Sequence, residues 1–135
     1  MNDAEKSVCR SVKNIFDKAP TLGLDIDGTI DEAVDFFSIL SNVWPGRVVV
    51  ITYRKDRQKA IDYLKDLGVY YDDLVLSGSL DKSKAVRENG VDVFIDDQDE
   101  CLKSIDPNVA VMKFRNSGNS SNGKWLYSDS TGAKV

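Results

Sequence analysis

Val48-Val49-Val50-Ile51 narrows the fold more than any other stretch of this chain. A strand with one side in water alternates apolar and polar residues, whereas this β-branched run has no polar face. It therefore predicts a strand covered on both sides, as in a parallel sheet flanked by helices. Leu22 to Ile26 is a second short apolar run bounded by turn residues. Leu74 to Ser77, Val91 to Ile95 and Val109 to Phe114 supply three more strands at a similar rhythm.

Helical periodicity fills the intervals. Ala33 to Asn42 reads as a helix stopped before Pro45-Gly46. Asp56 to Leu67 carries Ala60, Ile61, Leu64 and Leu67 on one side, with Gly68 as its stop signal. Ser83 to Asn89 is a shorter helix ended by Gly90. Upstream, residues 3–18 align Val8, Cys9, Val12, Ile15 and Phe16 in one stripe, closed by Pro20. Such alternation predicts an α/β fold, a three-layer sandwich around a parallel five-stranded sheet. We expect a single domain over 1–135: a packing helix over 1–19, a core over 20–115, and a polar loop and C-terminal tail over 116–135. Asn116 to Gly123 (NSGNSSNG) is expected to be a mobile loop, returned to the body by Trp125, Leu126 and Tyr127.

Composition removes several chemistries. The 135 residues include no His, which excludes Ser-His-Asp and Cys-His nucleophiles and any His-ligated metal centre. Two Cys cannot build a four-thiolate zinc site, and neither Cys9 nor Cys101 has the Arg six positions later that a cysteine-phosphatase loop needs. We expect both thiols to be reduced and partly buried. The net charge of −4 disfavours nucleic-acid binding, which needs a cationic footprint. No apolar stretch is long enough for a membrane span, and the N-terminus does not resemble a signal peptide, so a cytoplasmic location is expected.

In open parallel sheets, ligands bind beyond the carboxyl ends of the strands. There the chain places Asp25, Asp27, Gly28 and Thr29, then Thr52, Tyr53 and Arg54, then Lys82, then Asp96 and Asp97. Each residue alone has an ordinary explanation as a turn, a cap or a solvated charge. Together, four converging carboxylates without a counter-ion would repel one another and raise their own pKa values. A divalent cation with oxygen ligands removes that cost, and Mg²⁺ suits such ligands best.

Asp25-Ile26-Asp27-Gly28-Thr29, Thr52, Lys82 and Asp96-Asp97 resemble the four motifs of the haloacid dehalogenase superfamily of phosphatases, over roughly residues 21–115. The Lys124-Trp125-Leu126-Tyr127 segment, with Thr131-Gly132, looks like small nucleotidase-like members. The resemblance implies a Rossmann-like core and a Mg²⁺-dependent phosphomonoesterase acting through an aspartyl-phosphate on nucleotides or another small phosphorylated metabolite. In it Asp25, ionised near neutral pH, is the nucleophile, and Asp27 is the acid and base. Thr52 and Lys82 bind the phosphoryl oxygens, and Asp25, the Asp27 carbonyl, Asp96 and, through water, Asp97 hold the metal. Gly28, Thr29, Tyr53 and Arg54 are the candidate substrate contacts. Tyr53 is a stacking surface or mere packing, Arg54 a substrate ligand or a solvated charge, and Lys84 competes with Lys82.

The intervals 28–51 and 53–81 each hold one helix and one strand and leave no room for a cap domain. An open site is therefore expected, covered by the tail or by a second copy in a homo-oligomer. The alternative is a non-catalytic phosphate-binding or receiver-like signalling domain using the same acidic site. A receiver would carry its phospho-accepting Asp after the third strand, where this chain has Gly78.

Overall fold

The structure, a computed structural model, describes residues 2–4 and 19–119. Most of the stripe expected over 3–18, Cys9 included, and the tail from residue 120 onward lie outside the described residues. The chain folds as an α/β unit around five parallel strands: β1 (Leu22–Leu24), β2 (Val48–Thr52), β3 (Asp73–Leu76), β4 (Val93–Asp96) and β5 (Ala110–Lys113). They lie in the order β3-β2-β1-β4-β5, with β1 at the centre.

Both faces of the sheet are apolar, as the unbroken run in β2 demands. Val48 and Val50 enter one buried cluster with Leu22, Leu24, Phe37, Ala60 and Leu64. Val49 and Ile51, one position out of phase, enter a second with Ala85, Val86, Phe94 and Leu102. Burying each such side chain contributes about 1.5–3 kcal/mol, so a polar residue anywhere in 48–51 would destabilise one cluster or the other.

The first cluster is covered by α1 (Val34–Val43) and α2 (Arg57–Asp66). The second is covered by α3 (Ser83–Glu88) and α4 (Asp99–Leu102). Asp56 caps α2 by accepting from the Lys59 amide at 3.1 Å. α1 has no side-chain cap and is instead preceded by a 3₁₀ turn, Ile30–Glu32. Neither that turn nor α4 was expected from periodicity, being too short to show one. Strand and helix ends otherwise differ from expectation by a residue or two. The shifts reach two residues at the start of β4 and at the end of β1, where the chain leaves the ladder after Leu24 although the Asp25 amide still donates to Ile95 O at 3.0 Å. Asp25 thereby starts the turn rather than continuing the strand. No helix among the described residues is long and apolar enough to cross a membrane.

Candidate active site and metal centre

The carboxyl ends of the central strands gather the chemistry. Asp25 comes directly after β1, Thr52 and Asp96 close β2 and β4, and Lys82 stands immediately before α3. Oxygens of Asp25, Asp96 and Asp97, all buried, lie within 4.8 Å of one another, and this cluster could hold a metal ion.

Lys82 is wedged among the acids with a side chain only 1% exposed. Its ammonium donates to Asp25 Oδ1 at 2.6 Å, Asp96 Oδ2 at 2.7 Å and Ile51 O at 3.1 Å, which uses all three of its protons. Lys84, by contrast, is 76% exposed and among the described residues pairs with Glu88, at 3.9 Å. The lysine of the site is Lys82.

Asp27 does not join the cluster with its side chain. Its carboxylate faces outward and takes a two-pronged ion pair from Arg54, Nε to Oδ2 at 2.8 Å and Nη2 to Oδ1 at 2.7 Å. Arg54 also stacks on the Tyr63 ring, 4.5 Å from its centroid. Three carboxylates therefore converge rather than four, and they do not lack counter-ions: Lys82 sits inside the cluster and Arg54 neutralises the fourth acid at the rim.

One ammonium does not balance three buried acids. Burial pushes the Asp25 carboxyl well above the ordinary carboxylate range; Lys82 pulls it back and Asp96 pushes it further up. Asp96 is raised for the same first reason, against the pull of Lys82. Lys82 feels burial in the opposite sense, but Asp25 and Asp96 outweigh it and its pKa is raised. Burial thus works against the charged form of Asp25, and added positive charge would favour it.

A cleft of about 190 Å³ opens over this centre, lined by Asp25, Asp27, Tyr53, Arg54, Lys82 and Asp96. Leu80, Gln98 and Cys101 complete its wall and were not anticipated. Cys101 is a free, buried thiol pushed up to about 12, first by burial and then by Asp96, so it is a neutral wall group rather than a nucleophile. Two larger hollows, of about 360 and 420 Å³, lie away from the buried acids, beside Arg87 and Asn108 and beside Lys84 and Glu88.

Of the four candidate substrate contacts, Tyr53 and Arg54 line the cleft, while Gly28 and Thr29 do not. Thr29 is fully buried, its hydroxyl 3.2 Å from Asp25 Oδ2 and 3.4 Å from Asp97 Oδ1. Gly28 has φ +84°, and a Cβ there would stand 2.3 Å from Asp97 Oδ2. Only glycine lets that carboxylate in. Thr52 is buried as well, its hydroxyl oxygen accepting from the Arg54 amide at 3.1 Å.

Of the loop expected over 116–123, residues 116–119 are tied to the site by hydrogen bonds, and 120–123 lie outside the described residues. Asn116 Nδ2 donates to Gly28 O at 2.8 Å and to Asp97 Oδ2 at 3.0 Å. Asn119 Nδ2 donates to Asp97 O and Phe114 O. Asn116 lies just beyond the carboxyl end of β5, so the strand-end rule that singles out Asp25, Thr52 and Asp96 reaches it too.

Comparison of the sequence with protein-family models, with curated proteins and with solved structures returned no match. The site must be read from its own geometry.

Proposed function

We propose that this protein is a capless phosphatase of the haloacid dehalogenase type, a Mg²⁺-dependent phosphomonoesterase working through phospho-Asp25. The observation that carries the reading is Asp25 itself: a buried carboxylate facing a cleft, 2.6 Å from Lys82 and grouped with Asp96 and Asp97. The strand order β3-β2-β1-β4-β5, with apolar clusters on both faces of the sheet, supports a three-layer, Rossmann-like core. The intervals 28–51 and 53–81 contain only α1, α2, the 3₁₀ turn and strands, which agrees with an absent cap.

The donor set fits Mg²⁺. Asp25, Asp96 and Asp97 offer hard carboxylate oxygens, with no imidazole in the chain and no exposed thiolate among the described residues to favour a softer ion. Bound there, Mg²⁺ supplies the positive charge that lets an anionic nucleophile meet an anionic phosphoryl group.

The chain's own residues do the rest. A carboxylate oxygen of Asp25 attacks phosphorus, forming the acyl-phosphate bond as the ester P–O bond breaks. Asp27, at the cleft rim, leaves the Arg54 pair with a proton taken from solvent, gives that proton to the departing alcohol oxygen, and then takes one from the water that hydrolyses phospho-Asp25. Lys82 offsets the charge of the transferring group from within the cleft, with Thr52 beside it. Arg54 and Tyr53 meet the substrate at the mouth. An uncapped cleft of this size takes the phosphate of a small metabolite, such as a nucleotide, with the remainder of the substrate outside it or beneath a second copy of the chain.

The test is hydrolysis of p-nitrophenyl phosphate and of a panel of nucleotides and sugar phosphates, with Mg²⁺ and with EDTA. Asp25→Asn is expected to lower Mg²⁺-dependent turnover at least about 1,000-fold, the scale on which loss of a covalent nucleophile is felt. Turnover within about tenfold of the parent would sink the assignment. Acetyl phosphate labelling separates the alternative class: a stable label on Asp25 without turnover would mark a receiver-like domain.

A further inference from the structure

We infer that Asn116 is a positioning residue for the cation site, holding Asp97 in place for a divalent ion that it does not itself touch. The inference rests on the reading that Asp25, Asp96 and Asp97 hold such an ion.

Asp97 differs from the other two acids. Asp25 and Asp96 are both held by the Lys82 ammonium. Asp97 is buried in the same cluster, yet Lys82 makes no ion pair with it. Its carboxylate is held by amide and hydroxyl dipoles instead: Asn116 Nδ2 at 3.0 Å on Oδ2, and the Thr29 hydroxyl at 3.4 Å, the long end of a hydrogen bond, on Oδ1. Asn116 is the stronger tether.

Asn116 is also built to stay where it is. Its second amide proton goes to Gly28 O, in the turn that leaves Asp97 its space. Its Oδ1 accepts from the Asn119 amide at 2.9 Å, while Asn119 Oδ1 accepts from the Asn116 amide at 2.9 Å. These partners settle which way the side chain faces, because a flipped amide would aim its oxygen at a carbonyl and a carboxylate. Asn119 closes the loop onto Asp97 O and Phe114 O. The Asn116-Ser117-Gly118-Asn119 turn thus clamps Asp97 at its backbone and at its carboxylate, and the neutral clamp leaves the negative charge available to a cation. Partners of this kind, hydrogen-bonded to a ligating group, typically change metal affinity about 10–100-fold when removed.

Because coupling is reciprocal, a cation that needs Asp97 in this position must also steady the clamp. Two measurements on the full chain therefore test the inference without any assay of turnover. Calorimetric titration with Mg²⁺, repeated with Mn²⁺, is expected to give an affinity about tenfold or more weaker for Asn116→Ala than for the parent, at an unchanged far-ultraviolet circular dichroism spectrum. Hydrogen exchange of the parent is expected to slow at the Asn116 and Asn119 amides when Mg²⁺ is added, a readout that needs no variant to fold. If the parent binds Mg²⁺ but Asn116→Ala binds it within about twofold as tightly, or the two amides exchange at the same rate with and without the ion, the clamp has no such role and the cation site stands without it. If the parent binds neither ion, the cation site and the clamp's role fall together.

Discussion

Two carboxylate–cation pairs of nearly equal length hold opposite parts of this site. Lys82 reaches Asp25 at 2.6 Å with side chains 1% and 8% exposed, whereas Arg54 reaches Asp27 at 2.7 Å with side chains 29% and 53% exposed. Distance does not distinguish them; surroundings do. In the buried pair, both ions have given up water that only partner atoms replace, so removal of either leaves an uncompensated charge. At the rim, water stands ready to take the place of either partner, and the pair adds little to stability. In the proposed reaction the nucleophile and its cation site need fixed geometry, while an acid that must release, regain and hand on a proton needs freedom. The two pairs divide along that line.

Lys82→Met breaks the comparison hardest. Met fills similar space but leaves Asp25 and Asp96 facing each other without the ammonium. The loss is expected to be about 3–5 kcal/mol near neutral pH in EDTA, by urea denaturation. Its sign with pH is set by the raised carboxyls. A group whose folded pKa exceeds its unfolded value stabilises fully below the unfolded value, about 4 for Asp, and that contribution is lost as pH rises through the folded value. Asp25 and Asp96 are already raised by burial while Lys82 holds them down. Without Lys82 they rise further, so Lys82→Met is expected to lose midpoint as pH rises above about 4 and toward neutrality, and Mg²⁺ to restore part of it. A variant as stable as the parent near neutral pH would show that the buried pair is no more costly to break than the rim pair.

Gly28→Ala sharpens the buried side of the comparison without touching a charge. The new Cβ would meet Asp97 Oδ2 at 2.3 Å, on a backbone at φ +84°. The left-handed conformation alone costs an L residue about 1–2 kcal/mol, and displacement of Asp97 adds to it. Reduced stability is expected together with weaker Mg²⁺ binding by calorimetry. Reduced stability with unaltered binding would mean that Asp97 tolerates displacement and that the tight fit at Gly28 serves only the turn.

How far the sequence reveals this molecule depends on the range over which its signals act. Val48 to Ile51 announces a doubly covered strand because burial on both faces acts on every residue of the run. Asp56 marks the start of α2 because its cap bond spans only three positions. The 3₁₀ turn Ile30–Glu32 and α4 show no such signal, since three or four residues cannot display a helical period. The acids of the site and its cations are legible one by one at strand ends, but their pairing is not. Lys82 lies 57 positions from Asp25 and Arg54 lies 27 from Asp27, and only the folded sheet says which charge meets which. The same limit hides Asn116. Its neighbours Ser117, Gly118 and Asn119 have the composition of a solvated linker, and the partners that order the turn are supplied by Gly28 and Asp97, 88 and 19 positions away.

Arg54→Gln has the smallest expected effect on stability and bears most directly on why the rim pair is exposed. The pair itself is worth no more than about 1 kcal/mol at this exposure, and the Tyr63 stack adds about 0.5–1 kcal/mol for a surface cation. Unfolding in urea should therefore shift far less than for Lys82→Met. Turnover should respond more than stability does, because Arg54 orients the carboxylate proposed to protonate the leaving group, and general acid–base assistance is worth about 10²–10⁴-fold in rate. If Arg54 acts through Asp27, kcat falls and KM holds. If it instead binds the substrate's phosphate or a more distant group, KM rises and kcat holds. The Tyr63 ring, 4.5 Å away, keeps a handle on the guanidinium that does not depend on Asp27, so Arg54 has somewhere to stay when the acid lets go. A stability loss approaching that of Lys82→Met would overturn this division, because it would make the rim pair as structural as the buried one and leave Asp27 no freedom to move a proton.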